Sequence, residues 1–172
     1  MWKTLKQIAK TGIRSEVLIP PQADECRIEV ERIQRELLAI VGKALTIRHV
    51  DAGSCNGCEL EAHALNNAYY NLEGYGIKFV ASPRHADMLL VTGPVTRNMT
   101  MALQRTFDAT PDPKLVVAIG DCGCNGGIFG ENYACVGGVD KVIPVDVVVP
   151  GCPPTPLDIL NGILAAVRRR PR

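Results

Sequence analysis

The hydrophobic and polar positions change period along this chain. Near the start, Trp2, Leu5, Ile8 and Ala9 line one stripe, with Lys3, Lys6, Lys10 and Arg14 beside it. That spacing predicts a short amphipathic helix over Met1–Arg14, of the basic kind that can rest on a membrane surface or pack on a neighbour. After the Pro20–Pro21 break, Ile28, Ile33, Leu37, Ile40 and Val41 recur at helical spacing and predict a second helix over Asp24–Lys43. From Leu45 onward the texture is different. Short apolar runs predict strands at Leu45–Val50, Ile77–Val80, Met88–Val91, Leu115–Ile119 and Val142–Val149, the last broken early by Pro144. Between and after them, amphipathic stretches predict helices at Leu60–Leu72, Asn98–Phe107 and Thr155–Arg168, the last opened by Thr155 as N-cap with Pro156 in its first turn.

Strands that alternate with helices imply an α/β fold: a flavodoxin-like parallel sheet with helices on both faces, preceded by an N-terminal helical extension. The expected division is an extension over residues 1–43 and an α/β domain over residues 44–172. In such sheets ligands sit beyond the carboxyl ends of the strands.

Composition narrows the classes. The chain has 172 residues, with 19 Lys+Arg against 18 Asp+Glu, a net charge of +1. A nucleic-acid binder usually carries a basic excess, and aromatics at 5% leave little for base stacking, so no nucleic-acid partner is expected. No stretch approaches the roughly 20 apolar residues of a membrane span. The start shows no export signal, so the sequence reads as cytoplasmic or matrix-facing. Seven cysteines, an odd number in such a chain, argue for metal binding over a disulfide framework.

Three predicted strands run straight into cysteines. Asp51-Ala52-Gly53-Ser54-Cys55-Asn56-Gly57-Cys58 follows the first. Gly120-Asp121-Cys122-Gly123-Cys124-Asn125-Gly126-Gly127 follows the Leu115 strand, and Pro150-Gly151-Cys152-Pro153-Pro154 follows the last. Thiols from separate strand ends thus converge on one edge of one sheet. Iron in a cluster takes soft, anionic thiolates, and four complete a cubane. Glycines allow the backbone close approach and supply N–H groups to sulfide, while proline stiffens the last loop. A lone Cys-x-x-Cys also suits a zinc knuckle or a redox dithiol, and both alternatives stay open here. Cys122 and Cys124 compete for one ligand position. Seven cysteines fall short of the eight that two all-cysteine cubanes need, so one cluster is the natural count. Cys26 and Cys135 lie outside these signals.

Further motifs carry a resemblance. Ser82-Pro83-Arg84-His85-Ala86-Asp87, Val91-Thr92-Gly93-Pro94-Val95-Thr96, Gly120-Asp121-Cys122, Gly126-Gly127, Val145-Asp146 and Val149-Pro150-Gly151-Cys152-Pro153-Pro154 resemble the small, cluster-bearing subunits of [NiFe] hydrogenases and of respiratory complex I. The resemblance spans roughly Thr46 to Val167. It implies one [4Fe–4S] cluster held by Cys55, Cys58, Cys122 and Cys152, with Cys124 an extra buried thiol. Complex I subunits carry two adjacent cysteines in the first loop, whereas Cys55 and Cys58 are spaced as in hydrogenases. The Cys-rich C-terminal domain of uptake hydrogenases is not seen after the closing helix. The pattern is similar to the group 4, membrane-bound, energy-converting hydrogenases of formate hydrogenlyase type.

That resemblance implies an electron-transfer subunit of an oxidoreductase complex, peripheral on the cytoplasmic face of the plasma membrane. Its implied partners are a [NiFe] hydrogenase large subunit, a ferredoxin-like iron–sulfur subunit and integral membrane subunits. The alternative is the corresponding cluster-bearing subunit of a complex I-like quinone oxidoreductase. Glu59 and Glu61 resemble the family's proton-handling or interface acids, against the plainer reading that acids favour a helix N-terminus. His63 is a weaker proton-path candidate. Arg84 is a candidate for charge near the cluster or for partner contact.

Overall fold

The computed structural model describes residues 44–169 continuously, and before them Trp2, Lys6, Ile28, Glu31, Arg32, Arg35 and Glu36, all helical. The two expected N-terminal helices and Cys26 otherwise lie outside the described residues. Glu36 forms an ion pair with Arg168 of the closing helix.

Seven strands and four α-helices follow in the order β1 (Leu45–Asp51), α1 (Gly57–Ala64), β2 (Ile77–Phe79), β3 (Met88–Thr92), β4 (Val95–Thr96), α2 (Arg97–Ala109), β5 (Leu115–Ile119), α3 (Gly120–Asn125), β6 (Cys135–Gly137), β7 (Val147–Val149) and α4 (Pro156–Arg169). Five strands form one sheet in the order β2-β1-β3-β5-β7. Every pairing in it is parallel, with Leu90 opposite His49 and Val117 opposite Leu90. This is the flavodoxin-type doubly wound order, with its reversal between β1 and β3. A two-stranded antiparallel ribbon, β4 with β6, lies apart from it.

β3 and β5 are buried along their whole length, which is why they read as unbroken apolar runs. Alternate residues feed two cores. Met88, Leu90, Leu115, Val117 and Ile119 meet Ala62 and Leu65 of the α1 region and Ile159, Leu160, Ile163 and Leu164 of α4. Leu89, Val91, Val116 and Ala118 meet Leu103 and Phe107 of α2. Helices therefore cover both faces, as expected. Leu103 is the fully buried anchor of α2, and burying a leucine contributes about 1.5–3 kcal/mol.

Thr155 does cap α4. Its hydroxyl oxygen accepts the Asp158 N–H at 3.3 Å, while the Asp158 carboxylate accepts the Thr155 N–H at 3.1 Å, a reciprocal capping box with Asp in the usual Glu position.

Three elements differ from the sequence reading. The helix expected over Leu60–Leu72 begins at Gly57 and stops at Ala64, where Asn67 takes over as a turn former: its side-chain oxygen accepts the N–H groups of Tyr69 and Tyr70, both at 2.9 Å. The strand expected over Val142–Val149 shrinks to Val147–Val149. Val142 and Ile143 close a turn on Val139 and pack into the α2-side core. Gly120–Asn125, read as a loop, is a short helix, a single turn that carries no apolar period to detect.

Candidate metal centre

The carboxyl ends of β1, β5 and β7 lie on the same edge of the sheet, and each delivers thiols within a few residues. After β1, Asp51 organises the turn: its carboxylate accepts the N–H groups of Gly53 and Ser54, both at 2.8 Å. Ser54 then receives the Asn56 N–H at 3.1 Å. Asn56 takes the left-handed conformation (φ 75°), which asparagine tolerates, and α1 starts immediately after it. This turn leaves Cys55 exposed and drives Cys58 into the interior.

β5 passes directly into α3, which carries Cys122 and Cys124, both half-buried. β7 leads to the exposed Cys152. Asp121 fastens these two loops to each other. Its N–H donates to the Gly151 carbonyl at 2.9 Å, and its carboxylate accepts the Gly151 N–H at 2.8 Å. Cys122 and Cys152 therefore flank a rigid double hydrogen bond. They also line one cleft of about 300 Å³ with Asp121, Asn125, Gly127 and Ile128.

Two glycines are required at this edge. A Cβ on Gly120 (φ +79°) would fall 2.6 Å from the Cys58 sulfur, and one on Gly127 (φ +54°) 2.7 Å from the Cys122 sulfur. Side chains there would occupy the space into which the sulfurs project.

Electrostatics tie the four thiols together. Burial pushes the Cys58 thiol up to about 12, and Glu59, Cys122, Cys55 and Cys152 add to the shift. Burial also raises Cys122, reinforced by Cys152, Cys55 and Asp121. Cys124 is different: it too is raised by burial, but its acidic neighbours are Asp121 and Asp140, and of the other thiols it feels Cys122. Cys55 and Cys152 thus both act on Cys58 and on Cys122, whereas Cys124 is acted on by Cys122 alone among the thiols named for it. Cys135 is buried in β6, in the ribbon.

Among the described residues, no three Cys, His, Asp or Glu side chains gather tightly enough to share a single metal ion. By donor chemistry, soft thiols at one sheet edge, with glycines that leave the Cys58 and Cys122 sulfurs uncrowded, suit an iron–sulfur group.

The acids separate. Glu59 is 6% exposed, and neither carboxylate oxygen has a hydrogen-bond partner. Glu61 is half-buried and His63 exposed on the same helix. His49, unassigned from sequence, is held low chiefly by burial, while Glu59 and Asp51 pull the other way. It lies 3.2 Å from the Thr92 hydroxyl. Arg84 lies away from the thiols, beside Thr46, Asp87 and Pro111–Pro113 at the opposite end of the sheet. Sequence reasoning missed Asp121, although it stands inside a quoted motif. An acid between a strand end and a ligand cysteine was the available signal.

Fold and site together define a class: a doubly wound α/β domain whose strand ends bring five thiols to one edge. Residues 55–166 match the family described as NADH ubiquinone oxidoreductase, 20 Kd subunit, and the chain belongs to that family. It is 44% identical over 143 residues to the probable membrane-bound hydrogenase subunit mbhJ of Pyrococcus furiosus, covering 83% of this chain and 86% of that one. It is 44% identical over 149 residues to formate hydrogenlyase subunit 7 of Escherichia coli K12, covering 87% of this chain but 57% of the relative. Among solved structures it resembles a chain of the membrane-bound sulfane sulfur reductase, an archaeal respiratory membrane complex. There the TM-score is 0.65 and the identity 38%, over 77% of this chain and 75% of that one. The relatives are subunits of oxidoreductase complexes, and so is this protein. No described helix is long and apolar enough to cross a membrane.

Proposed function

We propose that this chain holds one [4Fe–4S] cluster on Cys55, Cys58, Cys122 and Cys152 and relays electrons to a nickel–iron site in a membrane-bound, energy-converting hydrogenase of formate hydrogenlyase type. The single observation that carries this reading is geometric: the carboxyl ends of β1, β5 and β7 bring Cys55, Cys58, Cys122 and Cys152 to one edge of the sheet, where Asp121 joins the Cys122 and Cys152 loops. When bound, the cluster supplies reversible one-electron transfer. The chain's own residues do the rest. Asp121 locks the Cys122 and Cys152 loops together. Gly120 and Gly127 keep the sulfurs' space open, and the buried wall behind Cys58 excludes water.

Glu59 is the acid this reading assigns to proton handling. It is buried, unpartnered and adjacent to Cys58, and a carboxylate in that state costs free energy unless a ligand, partner or proton satisfies it. Glu61, more open to solvent, is assigned to the partner interface. The partners in this reading are a nickel–iron large subunit, a ferredoxin-like iron–sulfur subunit and integral membrane subunits. The chain sits peripherally on the cytoplasmic face, and residues 1–43 serve as the attaching extension to the 44–172 domain.

The test is turnover by the purified complex. Two electrons and two protons should give hydrogen, or the reverse. Quinone reduction without hydrogen turnover would select the complex I-like quinone oxidoreductase reading. Reduction of sulfane sulfur in its place would put the chain with its structural relative. Colourless protein holding zinc without iron or sulfide would remove the electron-transfer reading altogether.

A further inference from the structure

β1 outlasts its neighbour at one edge of the sheet. The last pairing between β1 and β2 sets Ile47 opposite Phe79, after which β2 ends while β1 runs on to Asp51. A cleft of about 260 Å³ opens where β2 leaves off. Arg48 and His49 of β1, His63 and Asn66 of the α1 region and Phe79 of β2 line it, and the rest of its wall is aliphatic. None of the candidate ligand thiols borders it, so it is a different place from the cleft at Cys122 and Cys152.

The polar groups of this cleft are of one kind. Arg48 carries a permanent positive charge, and its Nε is buried with no hydrogen-bond partner. Arginines elsewhere are engaged. Arg97 donates to the Tyr133 and Asn132 carbonyls at 2.9 and 3.2 Å, Arg169 donates to the Asp146 carbonyl at 2.6 Å, and Arg168 pairs with Glu36. A charged N–H buried without an acceptor costs free energy that a bound acceptor offsets. His49, His63 and Asn66 can each add a donor, and no carboxylate lines the cleft.

The surroundings limit what fits. Asp51 and Glu59 do not line the cleft, yet both act on His49. They offset part of the Arg48 charge, so a dianion meets repulsion that a monoanion largely escapes. The volume lies below the roughly 300–1,000 Å³ of pockets for drug-sized ligands, which calls for a small molecule. Phe79 and the aliphatic wall call for an apolar part. A planar carboxylate matches the fork of a guanidinium.

We infer that this cleft is a binding site for a small organic monocarboxylate, with its carboxylate on Arg48 and its apolar part against Phe79. The inference goes beyond the proposed electron-transfer role and does not depend on which acceptor the complex reduces.

The test uses the assembled complex and benzoate as the probe, with benzylammonium as its cationic counterpart and inorganic phosphate as the competing oxyanion. At ten times its dissociation constant, benzoate should slow the modification of Arg48 by phenylglyoxal about tenfold, as mass action requires, read by peptide mass spectrometry. The exposed Arg105 of α2 should react at an unchanged rate. Benzylammonium should protect nothing, and phosphate should bind more weakly than benzoate. A complex carrying Arg48→Gln should bind benzoate about tenfold more weakly by calorimetry, with thermal unfolding near wild type. The protection measurement uses the unaltered chain, so it decides the question even where Arg48→Gln does not fold. Equal protection by benzylammonium, or tighter binding of phosphate, would overturn the inference. So would an Arg48 that reacts equally with and without benzoate, or one already unreactive in the complex because another subunit covers the cleft. Wild-type benzoate affinity in a folded Arg48→Gln complex would overturn it as well.

Discussion

The two ends of the parallel sheet handle polar groups in opposite ways. At the amino end they are closed within the chain. Asp87, one residue before β3, accepts from the Thr46 N–H and hydroxyl of β1 at 3.2 and 2.8 Å. Asp146, one residue before β7, repeats the device by accepting the Val116 N–H of β5 at 2.7 Å. Each aspartate pins a neighbouring strand in register. At the carboxyl end, Asp121 does join two loops, but Cys55 and Cys152 are exposed, Cys58 is held protonated by burial, and Glu59 has no partner. The amino end thus meets its polar groups within the chain, whereas the carboxyl end carries the exposed thiols and the buried Glu59 carboxylate on which the proposed function rests.

The sharpest break in that contrast comes from the ligand set. Cys55→Ser, Cys58→Ser, Cys122→Ser or Cys152→Ser should each remove most of the iron and sulfide of the purified protein, read by metal analysis and visible absorbance. Cys122→Ser with wild-type iron would overturn the ligand assignment. Gly120→Ala comes next. It places a methyl group against the Cys58 sulfur at a backbone angle that alanine resists, costing about 1–3 kcal/mol, and it should also lower cluster content.

Asp146→Ala strikes the opposite end. It strands the Val116 N–H and should cost about 1–3 kcal/mol of stability, seen as a lower denaturant midpoint, with iron per folded chain unchanged. Equal loss of iron would mean that the two ends are not separable.

A smaller effect concerns pH. In the unfolded chain Cys58 ionises near 8.5, roughly the ordinary thiol value, whereas in the folded metal-free chain it holds its proton to about 12. Between those values the unfolded state binds fewer protons, so the stabilisation from Cys58 is complete below the first and declines as pH rises toward the second. Metal-free protein should lose stability across that alkaline window, and Cys58→Ala should flatten the decline. Iron loading should reverse the sign, because bound thiolate is displaced by acid. The smallest change is expected for Cys124→Ser, whose thiol lies outside the proposed ligand set: near wild-type iron and spectrum.

Much of this was legible along the chain. β3 and β5 announced themselves as unbroken apolar runs because both faces are covered, and Thr155-Pro156 marked a true helix start. Cysteines at three strand ends pointed to one edge because parallel strands share a direction. Other features were silent. Cys122 and Cys124 are the same residue type two positions apart, and local pattern cannot rank them. Glu59 and Glu61 look alike until the helix turns one inward. The early stop of α1 at Ala64 depends on an Asn67 side chain, a local competition that helical periodicity does not register.

Residue order alone was enough to set the alternation of strands and helices and the strand ends that carry thiols. These follow from side-chain period and residue chemistry, which are local. Folding in three dimensions settled that Asp121 bridges two cysteine loops, that Glu59 turns inward while Glu61 stays half-buried, and that an apolar loop is braced beside the thiols. Those facts depend on segments dozens of residues apart meeting in space, and only the closed sheet, with its register and its crossovers, brings them together.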